Sequence, residues 1–253
     1  MAHIIAVLNQ KGGVGKTTTT ISLAAYLAKL GKTVLVVDAD PQANATSGLG
    51  VDKRQLSATT YQVLLASVPA EQAIIPTDYE GIMLLPADAN LAGAETELAA
   101  QEGRETMLRY VLDNQPYDYI LIDCPPALGL LTINALTAAT WLLIPVQAEY
   151  YAMEGLGQLM EVFQRVRQGL NPDLNLLGVL VTMFDARTSL AEQVVKELEQ
   201  HFSSSVFKTR IPRNVRLAEA PSYGKPISEH DKWSKGARAY KQFTKEVVSR
   251  VEH

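Results

Sequence analysis

Eight consecutive residues carry the densest chemistry of this chain: Lys11, Gly12, Gly13, Val14, Gly15, Lys16, Thr17 and Thr18. Three glycines within four positions permit a tight backbone whose amides turn inward. Such amides bind phosphate oxygens, and the positive end of a following helix strengthens the attraction. Lys16 is placed to reach the outer phosphates of a nucleotide, and Thr17 to offer its hydroxyl to Mg²⁺. The pattern departs from the common G-x-x-x-x-G-K-S/T, because Gln10 stands where the first glycine would be and a second lysine, Lys11, follows it. Lys11 is either a second clamp on its own phosphates or a contact offered to a partner subunit; the spacing leaves both open. Acids supply the other half of the chemistry. Phosphoryl hydrolysis needs Mg²⁺ to neutralise charge and a held water for in-line attack. Asp123 suits the metal role, Asp40 the positioning of water, and Asp38 a supporting place in the outer shell of the metal.

These residues need a scaffold that brings them to one edge. IIAVLNQ (4–10) is an apolar, strand-forming run; the glycine loop follows it, then a helical pattern from about Lys16 to Leu30 that Gly31 stops. TVLVVDAD (33–40) is a second buried strand, so the opening reads as a right-handed crossover unit in a mainly parallel sheet. Further strands are expected at IMLLPAD (82–88), 119–123, 141–146 and 176–182, with a last edge strand at 206–211. Helices are expected at 59–66, 92–114 with a weak point at Gly103, 130–139, 153–168, 190–201 and 236–251. The ends of parallel strands converge on one crevice, where Asp38, Asp40 and Asp123 would meet the glycine loop. With no long linker and no internal repeat, the reading is one α/β domain over 1–253.

Composition narrows the class. The 253 residues are 47% hydrophobic and 20% charged, enough for a sizeable core and against disorder. The single Cys124 excludes an intrachain disulfide framework, and four scattered histidines give no zinc cluster. No run of 18 uncharged apolar residues predicts a membrane span, and the start lacks the basic and apolar regions of an export signal. A cytoplasmic location is therefore expected. The net charge of −4 averages two unlike parts. Residues 1–195 carry 11 positive and 20 negative charges, whereas 196–253 carry 12 positive and 7 negative. A basic end on an acidic body points to a local anionic partner.

Five segments carry a family resemblance: KGGVGKTT (11–18), VDADPQANATSGLG (37–50), LIDCPP (121–126), TMFDART (182–188) and IPRNVRLAEAPSYGKPI (211–227). The chain resembles the ParA/Soj-type partitioning ATPases within the wider MinD/ParA deviant Walker A family, over nearly its whole length. The resemblance implies a single-domain P-loop NTPase fold with a mostly parallel sheet of seven or eight strands flanked by helices. It implies ATP and Mg²⁺ as ligands. Lys16 matches the phosphate-loop lysine, Thr17 the Mg²⁺ ligand, Asp40 the hydrolysis aspartate and Asp123 the Walker B acid. Lys11 matches a lysine that reaches across a homodimer to the other subunit's phosphates, so that two ATP molecules are sandwiched. Met183, Pro212, Arg213 and Asn214 match regions that wrap the adenine. The implied cycle is ATP-driven dimerisation, sequence-independent binding of double-stranded DNA, and release after hydrolysis stimulated by a ParB-like centromere-binding partner. That places the protein on the nucleoid.

The basic end supplies the candidates for DNA contact: Arg187, Lys208, Arg210, Arg213, Arg216, Lys235, Arg238 and Lys241. They suit phosphate contact with a strong salt dependence. No helix-turn-helix or aromatic stacking pattern is evident, so base readout is not expected. The long N-terminal DNA-binding extension of larger plasmid proteins is also not expected here. Three rival readings remain within the resemblance. A MinD-like membrane regulator would need an amphipathic C-terminal anchor, but the stripe Tyr240, Phe243, Val247, Val248 and Val251 is expected to pack on the body, so stable membrane association is not expected. An iron protein of the nitrogenase type would need more than Cys124. A related ATPase positioning a non-DNA cargo would keep the same active site.

Overall fold

The apolar runs pair side by side in one seven-stranded sheet in the computed structural model, which describes residues 2–149 and 153–252. In chain order the strands are β1 (His3–Val7), β2 (Val34–Asp38), β3 (Ile75–Pro76), β4 (Ile82–Leu85), β5 (Tyr119–Asp123), β6 (Trp141–Gln147) and β7 (Asn175–Thr182). Their spatial order is β3-β4-β2-β5-β1-β6-β7. Every pairing is parallel except that of the two-residue edge strand β3 with β4. β2 and β5 are buried at every position. Such strands read as unbroken apolar runs because helices cover both sheet faces, leaving no polar side to alternate with.

One face holds α1 (Lys16–Lys29), the short α10 (Val215–Glu219) and α11 (Ile227–His230), and the closing α12 (Lys235–Val251). The other holds α3 (Thr60–Leu64), α4 (Ala70–Ala73), α5 (Leu91–Leu98), α6 (Met107–Leu112), α7 (Leu130–Ala138), α8 (Glu154–Gly169) and α9 (Ser189–Phe202). A short α2 (Asn44–Gly48) follows the tip of β2. The apolar stripe of α12 faces inward. Tyr240, Phe243 and Val247 are fully buried, and the Tyr240 hydroxyl lies 3.0 Å from Thr19 Oγ1 of α1. The stripe is thus body packing, as expected. Among the described residues no helix is long and apolar enough to cross a membrane.

Two expectations about elements fail. Residues 206–211 form no strand. Phe207 and Ile211 donate single backbone bonds to Val179 and Val181 of β7, but between them the amides of Lys208 and Thr209 turn to the Glu246 carboxylate on α12, at 2.7 and 3.0 Å. A side chain has taken the donors that a ladder would have used. The helix expected over 92–114 is two helices, α5 and α6, separated at the predicted weak point: Gly103 has φ +71°, a left-handed conformation no helix interior holds.

Candidate active site

Parallel pairing sets the C-terminal tips of three strands together. Val7 of β1 and Asp38 of β2 are both register partners of Asp123, which ends β5. The loop from β1 to α1 crosses above them. Buried Asn9 starts it, donating from Nδ2 to the Pro145 carbonyl at 2.7 Å and accepting the Lys11 amide on Oδ1 at 2.9 Å. Gly13 and Gly15 have φ of +74° and +91°, and a Cβ on Gly12 or Gly13 would meet nothing within 4 Å. The loop is therefore held open by backbone conformation, and its floor is pinned where Thr182 Oγ1 donates to the Val14 carbonyl at 2.8 Å. No side chain caps the start of α1. Its first amides and the positive end of the helix are left to an anion.

Lys16 is 7% exposed and donates from Nζ to the Lys11 carbonyl at 3.3 Å. Burial lowers its pKa, opposed chiefly by the charge of Asp123. Beneath it Thr17 Oγ1 donates to Asp123 Oδ2 at 2.6 Å, and Thr20 Oγ1 reaches the other oxygen, Oδ1, at 3.2 Å. Asp123 is fully buried, and desolvation, then the charge of Asp38, raises its pKa to about 8. Asp38 is equally buried; desolvation lifts it to about 6 against the hydrogen bonds it accepts. Those bonds are to the Thr46 amide and hydroxyl at 2.8 and 2.7 Å and the Asp40 amide at 3.2 Å. Asp38 thus anchors the loop that carries Asp40. Asp40 is 7% exposed, and its Oδ1 accepts the Gln42 amide at 2.9 Å.

Above the buried Asp38 and Asp123 lies one cavity of about 360 Å³, walled by the three glycines, Lys16, Thr17 and Thr18 on one side and by Asp40, Gln42, Asn44, Pro126 and Met183 on the other. The cradle fits phosphates, being glycine-walled and fed by helix amides. The donor set fits Mg²⁺: a hydroxyl and a carboxylate 2.6 Å apart are hard oxygen ligands of the kind that ion takes. Cys124 beside them is fully buried, its thiol pushed up by desolvation, and has no access to a ligand.

The remaining expected residues are dispersed. Lys11 is exposed and points away from the cavity, its Nζ 3.1 Å from Glu149 Oε2. Arg213 approaches the same carboxylate at 3.7 Å. Met183, with φ +50°, stands at the cavity rim. Pro212 lies behind it, bridged to Phe184, and the Asn214 side chain caps α10 by accepting the Arg216 amide at 2.9 Å. Three side chains not singled out from sequence serve the site: Thr20, Thr46 and Asn9. Thr20 was legible, lying one helical turn after Thr17 on the same face. Thr46 and Asn9 act through contacts that no local spacing announces.

The DNA candidates divide. Arg187 makes two bonds to Asp185 at 2.9 and 2.7 Å. Arg210 pairs with Glu192 at 3.0 Å and lies over the Phe184 ring. Arg213 pairs with Glu149, and Arg216 with Glu219 and Asp231. Lys208, Lys235, Arg238 and Lys241 are exposed and, among the described residues, have no ion-pair partner.

A glycine-walled phosphate cradle at the tips of a parallel sheet, with a threonine and an aspartate beneath its lysine, defines a P-loop ATPase. Known proteins agree. The family model described as "AAA domain" matches residues 2–176. The sporulation initiation inhibitor protein Soj of Bacillus subtilis is 53% identical over 251 residues, 98% of this chain and 99% of that one. The chromosome-partitioning ATPase Soj of Thermus thermophilus is 56% identical over 248 residues, 98% of this chain and 96% of that one. Among solved structures, a Mycobacterium smegmatis protein titled cobyrinic acid a,c-diamide synthase, with bound ADP and magnesium, superposes with a TM-score of 0.86 at 41% identity, over 97% of this chain and 93% of that one. The chain belongs to the ParA/Soj/MinD family of P-loop ATPases with the deviant Walker A loop.

Proposed function

We propose that this protein is a DNA-partitioning ATPase whose Mg-ATP form is a sandwich homodimer that binds double-stranded DNA without sequence preference on the nucleoid. The observation that carries this reading is Lys11. It belongs to the phosphate loop yet turns out of its own cavity to an exposed carboxylate, Glu149. An exposed pair of this kind contributes about 0–1 kcal/mol, so a second subunit's phosphates compete for Lys11 easily. Within one subunit, Lys16 and the loop amides hold the phosphates. Thr17 and Asp123 hold Mg²⁺, which supplies charge neutralisation on the phosphates when bound. Asp40, on a loop fixed by Asp38 and Thr46, orients the attacking water. Hydrolysis removes the charge that two Lys11 side chains share and loosens the dimer; a ParB-like partner accelerates that step. The names of the Soj relatives support partitioning as the biological setting, and the unpaired basic residues toward the C-terminus support DNA as the surface.

The test is gel retardation of a duplex of arbitrary sequence with the Asp40→Ala variant. With ATP it is expected to bind DNA persistently and to hydrolyse at least tenfold more slowly than the unaltered protein. Rapid turnover in the variant would reject Asp40 as the residue that positions water. Absence of retardation at low salt would reject the DNA surface.

A further inference from the structure

Trp233 is the most exposed large apolar side chain among the described residues, at 77%. It does not sit on a loose loop. Its amide donates to Asp231 Oδ1 at 3.1 Å, and the Asp231 carbonyl accepts both the amide and the hydroxyl of Ser234, at 3.2 and 2.9 Å. Ser234 Oγ in turn accepts the Ala237 amide at 3.1 Å and caps α12. The indole is thus held out in water from a turn locked to the head of a 17-residue helix. Leaving so much apolar surface wet on a rigid mount is the signature of an anchoring contact.

The surroundings say what it anchors to. Lys232 Nζ lies 5.4 Å from the ring centroid. Lys235, Arg238, Lys241 and Lys245 follow at steps of three and four along α12, all exposed on one face and all without an ion pair among the described residues. The stripe is about 15 Å long, the axial rise of about four nucleotides on one strand. Its charge selects an anionic partner and rejects a basic peptide. An anionic membrane is disfavoured, because the apolar face of α12 is already buried against the body and the indole alone is left to insert.

We infer that Trp233 is a DNA-contact residue that packs against deoxyribose and groove edges of a duplex while Lys235, Arg238 and Lys241 meet the flanking phosphates. This inference rests on the DNA reading above and adds to it an apolar, salt-insensitive contribution. Such a contact is sequence-tolerant, since every nucleotide offers the same sugar face.

The test uses the full chain with ATP in the Asp40→Ala background. The protein has two tryptophans, so Trp141→Phe leaves Trp233 as the only indole. Adding a duplex of about 30 base pairs is expected to quench and blue-shift its emission. Trp233→Ala is expected to weaken DNA binding about tenfold, with an unchanged unfolding midpoint and an unchanged slope of log affinity against log salt. Trp233→Tyr is expected to recover part of the loss. Replacing Lys235, Arg238 and Lys241 by Gln is expected instead to flatten the salt slope. Normal affinity in Trp233→Ala with unaltered Trp233 emission would overturn this inference and leave the DNA reading standing. Failure of the unaltered protein to bind duplex would overturn that reading itself. An emission shift with phosphatidylserine/phosphatidylcholine vesicles and none with DNA would also overturn the inference, in favour of a lipid surface.

Discussion

Asp38 and Asp123 are one strand apart, fully buried, and face the same crevice. Desolvation raises both, to about 6 and about 8; the charge of Asp38 further opposes ionisation of Asp123, and that of Asp40 opposes ionisation of Asp38. In the unfolded chain both would ionise near the ordinary 3.8. The folded, nucleotide-free protein therefore binds more protons than the unfolded one between those limits. Its stability from this pair is complete below the unfolded value and is lost as pH rises through about 6 and about 8. The unfolding midpoint of the nucleotide-free protein is expected to fall between pH 5.5 and 8.5, by roughly 2–4 °C for each kcal/mol lost. Asp38→Asn is expected to reduce that slope; an equal slope in the variant would remove the pair as its cause. Thr46 makes a separate case. Its hydroxyl donates to Asp38 at 2.7 Å and accepts the Ala87 amide at 3.0 Å. Thr46→Val would orphan that buried amide and weaken the anchor of the Asp40 loop. A loss of about 1–3 kcal/mol is expected by urea unfolding, together with slower hydrolysis.

At the scale of elements, the point that holds the closing helix is Arg250. Its guanidinium donates to the carbonyls of Leu177, Ser205 and Val206 at 2.9–3.1 Å and stacks 3.8 Å from the Phe207 ring centroid. The carbonyls belong to β7 and to the irregular segment beside it. Gly178 leaves room for this: a Cβ there would lie 2.5 Å from the Arg250 side chain and 2.3 Å from the Ser205 carbonyl. Arg250→Met keeps much of the volume and removes every donor. It is expected to cost about 1.5–3 kcal/mol and to raise hydrogen exchange at residues 203–211 before the rest of the sheet. Uniform exchange across the sheet would instead assign Arg250 only a global role. Arg250 and Glu246 explain why the chain past residue 200 was the least legible in the sequence. Its backbone partners are side chains of a helix some 40 residues away, and no local periodicity records them. The strands other than the two-residue β3, together with α1, α7, α8 and α12, were legible to within two or three residues at their ends, because continuous apolar runs and amphipathic stripes are local properties of the chain.

Across the whole molecule, which residues gather around the glycine loop was legible and the direction their side chains take was not. The glycine spacing and the acids at strand tips were enough to name Lys16, Thr17, Asp40 and Asp123 as site residues. That Lys11 turns outward, that Asp38 is spent on Thr46, and that Arg210, Arg213 and Arg216 are held by acids while Lys208, Lys235, Arg238 and Lys241 have no ion-pair partner among the described residues all depend on how the chain folds. The same tertiary sorting gives a chain of net charge −4 a basic face on α12, where Lys235, Arg238, Lys241 and Lys245 have no ion-pair partner among the described residues. Lys11 is where the single subunit and the proposed dimer meet. As the chain stands, Lys11 makes an exposed pair with Glu149 and lies outside the cavity, so removing it takes nothing from one subunit's phosphate cradle. In a sandwich dimer the same change leaves the phosphates of both sites without their cross-subunit cation. Lys11→Ala is therefore expected to bind a fluorescent ATP analogue within about threefold of the unaltered protein, since only a weak surface contact is lost. It is also expected to sediment as a monomer at ATP concentrations where the unaltered protein is dimeric. Lys16→Ala, which empties the cradle itself, is expected to lose nucleotide and dimer together. Normal ATP-dependent sedimentation of Lys11→Ala would end the cross-subunit role. Loss of analogue binding as severe as in Lys16→Ala would place Lys11 in its own site instead.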